Sequence, residues 1–398
     1  MGVSLGLVGL GSFGSAFARL FKAHPLVDRI GLCDREPDRV RKFADDPFFA
    51  DKFAPADAYD SLDAICDSDL DALVIITQHW LHTPQAVQAM EAGKHVYSAV
   101  PLLSVPDSDE ILDWCDRLIE TVRRTGRHYM YGETTYYRPE AMYCRRRAAE
   151  GAFGDFVHAE GDYLHDVDSP YSNLREVKRS RLASAAGGEW AEKLKDYQAR
   201  GIQDGPMHYP THSTAGPICV MDAHMTRVCA WGYRNRTDDP YFHAGEADPA
   251  GRFSNETALF QMSNGATCRI REYREIGYPG DECFRIFGTN GSFRESTWYN
   301  KTHDTMALSA DDMRDPLPPE VFEAFAAAGG GKSDVYGGHG GSHAYLVHEF
   351  VDALAADRTP VINAFQAVRY TAPGAVAHKS ALRDGEILDV PDWGDAPA

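Results

Sequence analysis

No apolar run in this chain approaches the roughly 18 residues that a membrane helix needs, so no spanning segment is expected. The eight cysteines are scattered, and no Cys-x-x-Cys pair occurs. That pattern excludes a zinc ribbon or a disulfide scaffold and suits reduced thiols in the cytoplasm. Basic residues are scarce: 40 Lys and Arg stand against 59 Asp and Glu, a formal net charge of -19. A surface that acidic repels phosphate backbones and anionic lipid, so neither nucleic acid nor membrane is an expected partner. The opening "MGVSLGLVGLGSFG" lacks a basic n-region and reads as a strand rather than a signal peptide. It also fails as a myristoylation start, because Gly6 stands where a hydroxyl residue is required.

What is present is enough for two domains: 398 residues, 43% of them hydrophobic. The division is placed at 128, with a first unit over 1–128 and a second over 129–398. The first unit opens with an apolar strand at 3–8, then "GLGSFG", then a helical stretch, then "RIGLC" ending at Asp34. Gly9 permits the tight turn, Gly11 lets backbone approach a pyrophosphate, and Gly14 lets helix and strand pack closely. Ser12 and Phe13 open the helix whose free N–H groups favour phosphate. Asp34 is placed to accept both ribose hydroxyls, which favours NAD over NADP. Arg35 beside it is the feature that would suit a 2′-phosphate.

Strands are expected at 72–77, 95–100 and 128–133, with helices at 83–93 and 106–126 between them. This alternation predicts an α/β chain with an N-terminal Rossmann domain, a doubly wound parallel sheet. Ligands of such sheets lie beyond the carboxyl ends of the strands. Thr77, His79 and His82, then Val100 and Pro101, then Glu133, fall at those ends.

Two other stretches need weighing. "AAAGGGKS" (326–333) loosely fits a phosphate loop with Lys332 and Ser333, but it follows a helical "PPEVFEAFAAA" rather than a strand. Its glycines read as a mobile connection. In "GPMHYPTHSTAGP" (205–217), His208 and His212 stand four apart. A zinc pair would need helix and a glutamate; Tyr209 and Pro210 stand there instead. No metal is expected at these histidines, nor at His339, His343 and His348. Packed core histidines and proton carriers both remain open for the pair.

The strings "GLGSFG", "TQHWLHTPQAVQAMEAGKHVYSAVPL" and "EGAFGDFVHAEGDY", in this order, resemble the Gfo/Idh/MocA family of NAD(P)-dependent sugar and polyol oxidoreductases. The resemblance implies a C-terminal α+β domain with a large, mostly antiparallel open sheet. One face would cover the nicotinamide and the other would pack against another subunit, making a dimer or tetramer. That family usually carries Glu-Lys-Pro after the "GKHV" strand, its lysine assisting proton movement; here the tripeptide is Ala99-Val100-Pro101. "YPTHS", "YLHD" (163–166) and "GGHGG" (337–341) look more like one branch, the NAD-dependent α-N-acetylgalactosaminidases. Matched motif to motif, Tyr163, His165, Tyr209 and His212 would be catalytic. Glu133, His208 and His339 would support the substrate. The branch usually has glutamate at the place of Ala99 and glycine after "YPTH", so substrate identity does not transfer.

The chemistry gives these residue types a reason to gather. Oxidising a sugar hydroxyl to a ketone needs a base for its proton, and His212 suits that role with an intrinsic pKa near 6.5. The ketone acidifies the neighbouring C–H. Tyr209 or Tyr163 could remove that proton if a cation lowered its pKa from about 10. Expulsion of a leaving group, water addition and return of the hydride would then cleave a glycoside without consuming cofactor. The alternatives are a net sugar or polyol dehydrogenase and a non-catalytic sugar or cofactor sensor.

Overall fold

The computed structural model describes residues 2–242, 252–329 and 335–397. Six strands, β1 (Val3–Val8), β2 (Val27–Cys33), β3 (Ala58–Tyr59), β4 (Ala72–Ile75), β5 (His95–Ser98) and β6 (Tyr129–Tyr131), form the first sheet. Their order is β3-β2-β1-β4-β5-β6, and every pair is parallel. The order reverses between β1 and β4, which opens a crevice at their carboxyl ends. β4 is buried at all four positions, as a strand covered by helices on both faces must be. The helices Ser12–Ala23, His82–Glu91 and Ser108–Thr125 stand where the apolar spacing puts them. β6 lies just past the division expected at 128 yet completes this first sheet by pairing with β5.

The expected strands 72–77, 95–100 and 128–133 are each shorter than their apolar runs. Past Ile76 and Ala99, whose amides still donate to the carbonyls of Val8 and Ile75, the backbone leaves the ladder for side-chain partners. His82 Nδ1 lies 2.8 Å from the carbonyl of Pro101, its Nε2 lies 3.3 Å from that of Thr77, and the amide of Leu102 donates to Tyr131 Oη at 2.9 Å. The Val100–Pro101 peptide is cis.

The second sheet has nine strands: β7 (Phe156–Leu164), β8 (Met225–Arg234), β9 (Phe253–Met262), β10 (Thr267–Tyr273), β11 (Asp281–Gly288), β12 (Gly291–Arg294), β13 (Thr297–Asn300), β14 (Thr305–Ala307) and β15 (Leu388–Asp389). The order is β14-β13-β12-β11-β7-β10-β9-β8-β15. Only β7 and β10 run parallel; all other pairs are antiparallel. Helices Thr211–Met221 and Ala364–Leu382 cover one face. A Cβ on Gly161 of β7 would sit 1.8 Å from the carbonyl oxygen of Ser213. The missing side chain therefore lets the helix that carries His212 lie directly on the strand that carries Tyr163. The opposite face is open. Along β8, Val228 and Ala230 point into the core while Arg227, Trp231 and Tyr233 point out.

The two sheets share one packed body. Phe17 and Phe21 of the first helix meet His343 (ring centroids 4.3 Å) and Phe350 (6.3 Å) of the helix His343–Ala355 from the C-terminal part of the chain. The helix Pro319–Gly329 ends where the glycine run begins. Residues 330–334, with Lys332 and Ser333 of the phosphate-loop resemblance and its expected mobile connection, lie outside the described residues.

Candidate active site

The glycine turn fits its expected work. Gly9 has φ +90, and a Cβ there would lie 2.2 Å from the Ile76 carbonyl oxygen. A Cβ on Gly14 would lie 2.0 Å from the carbonyl oxygen of Gly9. On Gly11 a Cβ would meet nothing nearer than Arg39 Nη1 at 3.8 Å, so the space above the turn is open. The helix that starts at Ser12 has no side-chain cap, which leaves its first N–H groups for a ligand. Asp34 ties the crevice together, accepting from the amides of Leu10 (2.7 Å) and Glu36 (2.8 Å). Arg35 is held by Glu189 at 2.6 and 3.0 Å and is not free for a 2′-phosphate. An open cradle, uncapped amides and a buried acid at the end of β2 fit NAD.

Over this crevice lies an excursion that no strand-end reading anticipates, the helices Leu174–Leu182 and Ala185–Ala199. Trp190 stacks on Trp80 with centroids 4.5 Å apart, the amide of Ala185 donates to Glu36 Oε1, and Gln78 Nε2 donates to Ser184 Oγ.

Four of the expected catalytic residues meet beside the crevice as two phenol–imidazole pairs. Tyr209 Oη lies 3.1 Å from His212 Nε2, and Tyr163 Oη lies 2.7 Å from His165 Nδ1. The rings of Tyr163 and Tyr209 are 6.1 Å apart, and Tyr163 is 5.1 Å from His212. Glu133 joins them: its Oε1 is 3.0 Å from His212 Nδ1, and it also accepts from Thr211 Oγ1 and the amide of Thr135.

The pairs differ in charge. Burial alone would lower the pKa of His212, but Glu133 outweighs it, helped by Glu282 at 3.6 Å, and the pKa rises above the ordinary value. These directions favour an imidazolium at His212, which would donate Nδ1–H to Glu133 and Nε2–H to Tyr209. Burial lowers His165, whose Nε2–H donates to the Ser172 carbonyl at 2.8 Å. His165 Nδ1 therefore carries a lone pair and accepts from the Tyr163 hydroxyl. The carboxylates around His212 favour its protonated form, in which it can act as an acid before it acts as a base. Burial also raises both phenols, although Arg274 stands 4.8 Å over the Tyr163 ring and Arg181 acts on Tyr209. Glu133→Gln should remove the anion that holds the His212 proton. If the acid form is the active one, the alkaline limb of the kcat/KM profile should move to lower pH, which a pH–rate series measures.

Other expected residues fall around this centre. His339 meets Phe13 edge to face at 5.6 Å and hydrogen-bonds His343 at 2.9 Å, so it bridges the glycine turn and the C-terminal helix. His79 lies 5.5 Å from the Tyr209 ring. The hydroxyl of Thr77 donates to Gln85, His82 braces the Pro101 carbonyl, and Val100 is buried. His208 is not brought to the cluster. Pro210 starts the next helix, so the two histidines belong to different turns. The His208 ring turns into a buried network with Ser108 (2.9 Å), Asp204 (3.0 Å) and His378 (centroids 4.4 Å). Sequence reasoning missed Arg181, Arg274 and Glu282. The alternation in "TCRIREY" marks a strand, but nothing local gives its partner.

The fold and cradle define an NAD-dependent enzyme of the oxidoreductase class. The family model described as "Oxidoreductase family, NAD-binding Rossmann fold" matches residues 3–133. The chain belongs to the glycosyl hydrolase 109 family, whose C-terminal domain model matches residues 137–396. A glycosyl hydrolase family 109 protein of Stenotrophomonas maltophilia is 24% identical over 98% of this chain and 89% of its own. An α-N-acetylgalactosaminidase of Bacteroides fragilis is 31% identical over 56% of this chain and 49% of its own. Among solved structures, levoglucosan dehydrogenase in complex with NADH and levoglucosan has a TM-score of 0.70 at 18% identity, covering 98% of this chain and all of that one. Scyllo-inositol dehydrogenase from Lactobacillus casei with NAD(H) and scyllo-inositol has a TM-score of 0.65 at 15% identity, covering 98% and 99%. Among the described residues no helix is long and apolar enough to cross a membrane.

Proposed function

We propose that this protein cleaves a glycosidic bond by a redox-neutral route, with Tyr163, His165, Tyr209 and His212 as its proton-handling residues. The observation that carries this reading is the pair of phenol–imidazole couples in one cleft, one holding a proton and one able to take it. A net dehydrogenase needs only an acceptor. Bound NAD would supply a reversible hydride acceptor at one sugar carbon. A leaving group on C1 is expelled by elimination only when the ketone lies at C3 and the lost proton at C2.

The residues divide that work. Tyr163 takes a proton as it passes its own to His165, a concerted hop that needs no free phenolate. His165 is half-buried and can release its proton to water, so the relay serves first the C3 hydroxyl and then the C2–H. The imidazolium of His212, through Tyr209, donates to the C3 oxygen while it carries enolate charge. As C1–O breaks, the enolate returns to a C3 ketone, and the departing alkoxide takes a proton from water in place of the one lost from C2. Water then adds its OH to C1 and a proton to C2, and the hydride returns to C3 and the proton to its oxygen. Glu133 keeps His212 charged, and His339 and His79 line the approach.

The substrate class suggested by the Bacteroides relative is an α-N-acetylgalactosaminide. Aryl glycosides should release phenol with NAD far below stoichiometric, and product formed in D2O should carry deuterium at C2. Stoichiometric accumulation of reduced cofactor would instead make the protein a dehydrogenase, and no turnover with any sugar would leave a sensor.

The same reading places the protein in the cytoplasm, with all eight cysteines free, as a homo-oligomer built on the open sheet face. Trp231, Tyr233 and Leu259 lie there 59%, 50% and 47% exposed, large side chains for bulk water. Trp231→Glu with Leu259→Glu should reduce the mass seen by light scattering. A monomeric wild type at micromolar concentration would overturn the assembly.

A further inference from the structure

Arg181 closes the last turn of the helix Leu174–Leu182 and leans into the cleft. Its Nη1 and Nη2 lie 2.9 and 2.8 Å from the two ring nitrogens of His79. Burial, and then this cation, lower the pKa of His79 well below its ordinary value, so the ring is neutral. A neutral imidazole offers one acceptor, while a guanidinium brings five donors. Most of the Arg181 fork therefore has no acceptor there. Among the described residues no carboxylate pairs with it, and the groups on which its charge acts are the phenols of Tyr209, Tyr241 and Tyr163.

A second cation stands one turn earlier. Lys178 lies 4.5 Å over the ring of Tyr241 and has no carboxylate within salt-bridge distance among the described residues. The contrast with its neighbours is informative. Arg175 on the same helix is paired with Asp168 and Asp239, Arg274 with Glu272, and Arg138 with Glu282. In a chain with net charge -19, carboxylates are plentiful. A half-buried guanidinium left without one beside the site phenols keeps its fork open to an anion that a ligand brings.

We propose that Arg181, with Lys178 behind it, receives a carboxylate or sulfate carried by the sugar, so that the substrate is an anionic glycoside. Arg suits this work because its planar fork meets two oxygens at once. The proposal rests on the reading of this cleft as a sugar site, but it does not require the glycosidic bond to break.

The test has two arms. In the first, the NAD-loaded enzyme is titrated with glucuronate, galacturonate, galactose 6-sulfate, and the neutral glucose, galactose and N-acetylgalactosamine. At least one anionic sugar should bind about 10- to 100-fold more tightly than its neutral counterpart, the range of one charge-assisted contact. Carboxylate and sulfate members identify the anion. In Arg181→Gln that preference should vanish while NAD affinity and melting temperature hold, and Arg181→Lys should keep part of it. In the second arm, aryl uronides and aryl N-acetylgalactosaminides are assayed, and the loss in Arg181→Gln should fall mainly on KM for the charged substrate. Equal or tighter binding of neutral sugars by the wild type overturns the proposal. So does equal loss on charged and neutral substrates, which would mean that Arg181 only tunes the phenols, or loss confined to NAD affinity. Preferential anion binding without cleavage leaves this proposal standing and removes the glycosidase reading.

Discussion

His212→Asn is expected to lower kcat by about 10²- to 10⁴-fold, the span of a lost general acid, while NAD affinity stays within a few-fold. Asparagine keeps a donor near Glu133 but cannot carry the charge that faces Tyr209. The comparison that gives the result meaning is His165→Asn. If the two pairs act on opposite sides of the proton transfer, the variants should differ in kind. The His165 variant should lose C2–H exchange with D2O. The His212 variant should retain slow exchange after oxidation but lose stabilisation of the charged C3 oxygen. Identical losses in oxidation and exchange from both variants would mean that the pairs are not specialised. A His212 variant with unchanged kcat would remove it from the chemistry altogether.

Gly11→Ala and Gly14→Ala should separate cofactor binding from folding. At Gly11 the added methyl has open space in the free protein, 3.8 Å from Arg39 Nη1, so stability should barely change. The methyl would occupy the room meant for the pyrophosphate, at a cost of about 1–3 kcal/mol, roughly 5- to 150-fold in NAD affinity. At Gly14 the methyl falls 2.0 Å from the Gly9 carbonyl oxygen, a backbone atom that cannot give way without parting helix from strand. That variant should melt many degrees lower or fail to fold. Isothermal titration and differential scanning calorimetry measure the two effects. A Gly11→Ala protein that binds NAD normally would place the pyrophosphate elsewhere.

Five of the six strands of the first sheet were legible because their signals are local; the two-residue β3 carries no apolar run of its own. Strand, glycine turn, helix and acid follow one another within 34 residues, and each apolar run carries its own period. Strand ends were overrun because an apolar stretch does not say where the ladder stops and side-chain partners take over, as past Ile76 and Ala99. The second sheet came only through resemblance. β7 pairs with β10 across 109 residues, and no local pattern encodes that register. The site divides in the same way. The "YPTH" string brings Tyr209 and His212 together by itself, but the carboxylate that charges His212 comes from 79 residues away and the guanidinium on His79 from 102. His208 shows how spacing misleads. The motif match by spacing put it beside His212, yet Pro210 divides the turns, and the ring lies toward Asp204 and Ser108.

The two helices laid across the crevice bear on how long a dinucleotide stays. Their contacts bracket the cradle: Arg35 with Glu189 near the ribose acid, Trp80 with Trp190 beside β4, and Gln78 with Ser184 at the hydride end. A dinucleotide held in the cradle would leave only as these contacts part, which would slow its exchange. An enzyme that worked by the proposed redox-neutral route would have no need to exchange its coenzyme between turnovers.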